Sequence, residues 1–133
     1  MHDLAVLLRA MQLFAHSAHN LASGPTFFAD HAHLGTLYET YEEAYDAVIE
    51  RMIGLGDDKP DICGANLKAA EMASKFDCCP PAVAFSTILD MEKELCDCCK
   101  ECQKGQSIGT VNFLQGLADD SEQRQYLIGQ RVK

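Results

Sequence analysis

The chain contains no tryptophan, and it nowhere gathers its basic residues into a run. Its 11 Lys and Arg are scattered among 20 Asp and Glu, a formal net charge of −9. Affinity for duplex nucleic acid comes mainly from Lys and Arg that neutralise phosphate, so this balance argues against direct DNA binding. An acidic surface attracts cations instead. The first residues, Met1-His2-Asp3-Leu4, enter a helical pattern almost at once, so no Lys-rich arm is expected there, and Arg131-Val132-Lys133 is too short to serve as one. No segment reaches the roughly 18 consecutive apolar residues of a membrane span. Asp3 and Arg9 interrupt the layout of a signal peptide, so a cytoplasmic location is expected. No apolar–polar alternation of period two stands out, which leaves strands without a signal. Seven cysteines, an odd number, cannot all pair within one chain, and reduced thiols or metal thiolates are favoured.

What is present is enough for one core. A chain of 133 residues with 47% hydrophobic residues reads as a single domain, residues 1–133. Leu4, Leu7, Leu8, Met11, Phe14, Ala15 and Ala18 recur mostly at three- and four-residue steps, predicting an amphipathic helix that runs to about Ala22. Ser23-Gly24-Pro25 breaks it, and Thr26 is placed to cap the next helix. From Thr26 to Leu55 no proline or turn cluster intervenes. Leu34, Leu37, Tyr38, Tyr41, Tyr45, Val48 and Met52 keep helical period, and Gly54, Gly56 and Asp57-Asp58 end the run. A loop over 57–64 and a short helix from about Ala65 to Phe76 follow. Pro80-Pro81 opens a third long helix that ends near Lys104-Gly105, and a last one runs from about Thr110 to Arg131. The expected fold class is all-α, a four-helix bundle with a short extra helix between helices two and three.

One stretch points to chemistry. His19 and His31 lie twelve positions apart, and Asp46 and Glu50 follow at i,i+4 spacing, one turn apart on a single helical stripe. Imidazole plus carboxylate suits iron and zinc. Taken alone, an acidic pair beside Glu39, Glu42 and Glu43 is more often a solvated helix face. His16, three residues before His19, is an auxiliary ligand, a proton acceptor or, more simply, a surface or hydrogen-bonded histidine. His33 points away from His31, and His2 is terminal.

The pattern resembles a family. His19, Gly24, Phe27 and His31, then Asp46, Glu50, Arg51, Leu55 and Gly56, match the signature of the Dps proteins, the mini-ferritins that protect DNA during starvation. Lys59-Pro60 with the piece from Ala65-Asn66 to Phe76, and Gly109-Thr110-Val111-Asn112-Phe113-Leu114, are similar to that family's inter-helix segment and last helix. The resemblance spans nearly the whole chain. It implies a ferritin-like bundle that assembles into a hollow homo-oligomer, a dodecamer. At each two-fold interface His19 and His31 of one subunit would face Asp46 and Glu50 of its neighbour. The implied activity is that of a ferroxidase: Fe(II) is oxidised by peroxide or dioxygen and stored as ferric mineral, which protects against oxidative damage. Two positions depart from the pattern. Gly35 stands where the family carries an Asp, and Asn20 where it carries a Trp.

The cysteines have no counterpart in that resemblance. Cys96, Cys98, Cys99 and Cys102 crowd onto one helix, with Cys63, Cys78 and Cys79 earlier. Four thiolates on one rigid helix do not converge on a single point, so other chains or Cys78-Cys79 would have to complete a tetrahedral site. Cysteine also serves as a small buried apolar residue. The sharper alternatives are a zinc, copper or iron–sulfur thiolate site, or a redox-active pair. These residues support the alternative function, a non-catalytic Cys-rich metal-binding shell protein with a degenerate iron site. Asp119 and Asp120 are candidates for a pore lining or for plain solvated surface.

Overall fold

The computed structural model describes residues 1–55, 59–78 and 80–133. Gly56, Asp57 and Asp58, expected to end the second helix, and Cys79 lie outside the described residues. Five α-helices and no strand occur among the described residues: α1 (His2–Leu21), α2 (Phe27–Gly54), α3 (Ile62–Ser74), α4 (Pro81–Cys102) and α5 (Ile108–Arg131). None is long and apolar enough to cross a membrane.

α1 is the spine. It packs against α2, α3 and α4, while α4 pairs with α5. Leu4, Ala5, Val6, Leu7 and Leu8 are all buried in succession, which a helix with one wet face does not allow. α3 packs on α1. It approaches closely because its buried residues, Ala65 and Ala69, are small. Phe14, Leu34, Leu37, Tyr41, Phe85, Ile88, Leu95, Leu114 and Ile128 complete a single core.

The helix boundaries follow local chemistry. Gly24 reverses the chain between α1 and α2 at φ +88°, a left-handed conformation that glycine adopts without a Cβ penalty. Thr26 does not cap α2 as its residue type suggested. Its backbone sits at φ −99°, ψ 10° instead of the extended region, and its hydroxyl donates to Asp30 Oδ2 at 2.6 Å. α3 starts three residues earlier than its periodicity suggested, because Asp61 accepts from the Gly64 amide at 3.0 Å and caps the helix there. α5 likewise begins at Ile108, with Ser107 accepting from the Thr110 amide at 3.2 Å. Pro80 and Pro81 open α4, where the missing amide is not needed.

Candidate metal centre

α1 and α2 bring His19 and His31 face to face. Their rings stack with centroids 3.7 Å apart and planes inclined by 25°. His19 Nδ1 donates to the carbonyl of His31 at 2.7 Å, and His31 Nδ1 donates to the carbonyl of His19 at 3.0 Å. A carbonyl oxygen only accepts, so each neutral ring carries its proton on Nδ1 and keeps a lone pair on Nε2. The exchange fixes both tautomers and both orientations, which is how outer hydrogen bonds prepare imidazole for a metal. Phe27 stacks on His31 at 4.9 Å, and Tyr38 meets His19 edge-on at 5.3 Å. Gly35 lies directly beneath the His19 ring: a Cβ there would sit 3.4 Å from Cε1 and Nδ1, an ordinary contact at its near limit. Asn20, in place of the family's aromatic, is exposed.

The other histidines are engaged elsewhere. His16 stacks on Tyr38 at 4.1 Å, with its ring 6.2 Å from that of His19. His33 stacks on Phe85 at 6.0 Å, on the α4 side of α2. Burial pushes its pKa down, against the opposing charge of Asp30.

Asp46 and Glu50 are exposed on α2, and neither belongs to an ion pair among the described residues. Glu50 lines an open cleft of about 460 Å³ with Arg51 and Phe113. Arg51 stacks over the Phe113 ring at 4.5 Å and donates to Thr110 Oγ1 at 3.4 Å, which holds α2 to the start of α5. Asp46 stands fifteen residues after His31 on the same straight helix, about 22 Å away at 1.5 Å per residue. The fold therefore joins the two histidines, joins the two carboxylates, and keeps the two pairs apart within one chain. Among the described residues no three His, Cys, Asp or Glu side chains converge on a point that could hold a metal ion.

A family model for the ferritin-like domain matches residues 2–132. The chain belongs to the ferritin-like family. No curated protein and no solved structure gives a match.

In ferritin-like di-iron proteins the metal lies inside the bundle, held by inward Glu residues and Glu-x-x-His pairs. This ferritin-like chain has no Glu-x-x-His sequence, and its bundle interior is filled differently. Glu92 of α4, fully buried, accepts from Tyr41 of α2 at 2.5 Å and from Ser121 of α5 at 2.6 Å. Arg124 of α5 donates to both its oxygens, at 2.6 and 3.2 Å. Burial raises the Tyr41 pKa, reinforced by the charge of Glu92. A guanidinium thus occupies the interior beside the one buried acid of α4. Sequence reasoning missed this network, although Glu92 falls on the apolar stripe of Phe85, Ile88, Leu95 and Cys99, a spacing that sets it apart from its exposed neighbours Asp90 and Glu94. A second buried acid, Asp30, accepts from Arg131 Nε and Nη2, both at 2.9 Å, and this pairing, joined by the Thr26 hydroxyl, outweighs the opposing effect of burial and holds its carboxyl below the ordinary range.

Three of the four cysteines of α4 line two clefts. Cys96 and Cys99 line the one toward α5. There Cys96 Sγ donates to the Ala118 carbonyl at 3.7 Å and receives Gln125 Nε2 at 3.3 Å. Cys99 is buried, and burial pushes its thiol up to about 12. Cys98 lines a cleft on the opposite side, and Cys63 is exposed on α3. Asp119 and Asp120 are exposed on α5.

Proposed function

We propose that this ferritin-like chain is a mini-ferritin of the Dps type, whose substrate Fe(II) is oxidised at sites shared between two copies. Its function would be to oxidise iron with peroxide or dioxygen and store the ferric product inside a closed shell of about twelve copies, which removes both reagents of oxidative damage. The observation that carries this is the reciprocal histidine pair, His19 and His31, with both Nδ1 protons spent on carbonyls and both Nε2 lone pairs left for a cation. Two further features support it. The bundle interior is closed by Glu92 and Arg124, so a site on the outer surface is the one available. The carboxylates that would complete it, Asp46 and Glu50, stand about 22 and about 28 Å along the helix from His31, out of its reach within one chain, so a second copy would have to supply them. An isologous contact makes two equivalent sites per pair. α3, lying between α2 and α4, fits the extra short helix of such a subunit. Direct DNA binding is not part of the proposal, given the net charge of −9.

Each histidine would hold iron through Nε2. Each carboxylate would supply negative charge that offsets the repulsion between neighbouring cations. Gly35 removes one such carboxylate, so a first Fe(II) should bind better than a second. The test is Fe(II) oxidation followed by absorbance of the ferric product. His31→Ala and Glu50→Ala should each slow it at least tenfold, roughly the loss that even an outer partner of a ligand gives. Gly35→Asp should speed it, because the added Cβ has room against His19. Unchanged rates in His31→Ala and Glu50→Ala would overturn the site.

A further inference from the structure

The thiols of α4 hold an arrangement that the iron chemistry does not use. Cys98 and Cys102 stand one turn apart on one stripe of the helix, close enough that Cys102 acts on the Cys98 thiol. Both are half-buried and packed against the core. Cys98 forms part of the wall of a cleft of about 440 Å³ between α1, α3 and α4. Met72 presents its thioether side chain to the same cleft, and Lys68 and Lys75 stand at its α3 edge. Cys96 and Cys99, by contrast, face α5, where Cys96 is already engaged.

We propose that Cys98 and Cys102 form a two-thiolate site for a soft monovalent cation, copper(I), separate from the histidine–carboxylate centre. Coordination number decides the metal. Structural zinc is almost always four-coordinate, and among the described residues no third His, Cys, Asp or Glu joins the pair. Copper(I) is soft, prefers thiolate and thioether donors, and is satisfied by two sulfurs. The pair needs no rearrangement of the bundle, because helical spacing already sets the two thiols on one stripe. The product carries one negative charge, and the cleft beside it is mixed in sign, with Lys68 and Lys75 set against Asp3, Glu71 and Glu94.

Binding is a proton exchange: one Cu(I) joins two thiols, two S–H bonds break, two Cu–S bonds form, and two protons leave to solvent. No electron moves. Burial, followed by the neighbouring Cys102, pushes the Cys98 thiol up to about 12, so the metal must displace a firmly held proton. Affinity should therefore rise steeply with pH.

This site shares no residue with the iron centre and does not rest on that assignment. The test is anaerobic titration of the reduced, intact protein with Cu(I) in competition with a chromogenic Cu(I) chelator. One Cu(I) per chain should be captured, with two protons released and a sulfur-only shell in X-ray absorption. Cys98→Ser and Cys102→Ser should each abolish capture, while Cys63→Ser and Cys96→Ser keep it. Cys102 ends α4, so its serine variant disturbs the helix packing less than Cys98→Ser. Iron oxidation in Cys102→Ser should match that of the unaltered chain. Capture that survives in Cys102→Ser, or that falls equally in Cys63→Ser, would overturn the site.

Discussion

His33 and Asp30 lie within one turn of each other near the start of α2 and respond to acid in opposite charge states. Burial holds His33 neutral by lowering its pKa from 6.5, so folding gains from the neutral ring. That stability is fully present above pH 6.5 and is lost as pH falls through the lowered value. Asp30 is held ionised, chiefly by its hydrogen bond to Arg131, so its contribution is present above 3.8 and is lost as pH falls through its own lowered pKa. Urea midpoints measured from pH 7 downward should therefore decline in two stages. His33→Gln should flatten the upper stage and leave the lower one in place. An unchanged upper slope would show that another group titrates there.

α2, α4 and α5 meet at Glu92, and most of the polar cost of the interior is concentrated there. Glu92→Gln keeps the shape but strands the Arg124 charge in a dry site, with a loss of about 3–5 kcal/mol. Thermal denaturation should show it as a large drop in midpoint; a drop smaller than that of an exposed control such as Glu94→Gln would mean that water already screens Arg124. Little of this network was legible in the sequence. Helices announce themselves by which residues are apolar, and the amphipathic spacing of α1 and α2 gave their extents to within two residues. The place of Glu92 on the stripe of Phe85, Ile88, Leu95 and Cys99 signals its burial, but its partners on α2 and α5 are named by no local pattern. The same holds at the start of α3, where Asp61 moved the boundary through one side-chain bond. The residue types of the candidate centre could be picked out by spacing and family resemblance. Their crossed hydrogen bonds could not, since these need the antiparallel register of α1 against α2.

The whole molecule leaves large apolar side chains in water: Ile108 is 91% exposed, Phe28 86% and Leu67 74%. Contacts between copies, as proposed above, would cover side chains of this kind. Light scattering at near-physiological salt should give a mass many times that of the 14.6 kDa chain. Shells assembled from a mixture of His31→Ala and Glu50→Ala chains should oxidise iron faster than either variant alone, since some interfaces then bring an intact histidine pair against intact carboxylates. A stable monomer, or no gain on mixing, would sink the shared-site proposal. The closed interior has one more consequence. Stability resides in the Glu92 network and the apolar core, whereas Asp46 and Glu50 stand in solvent, where substitution changes stability by no more than about 0.5 kcal/mol. Descendants of this chain could lose or exchange their metal chemistry without penalty to folding. An intact bundle among them would testify to ancestry and say nothing of whether the reaction survives.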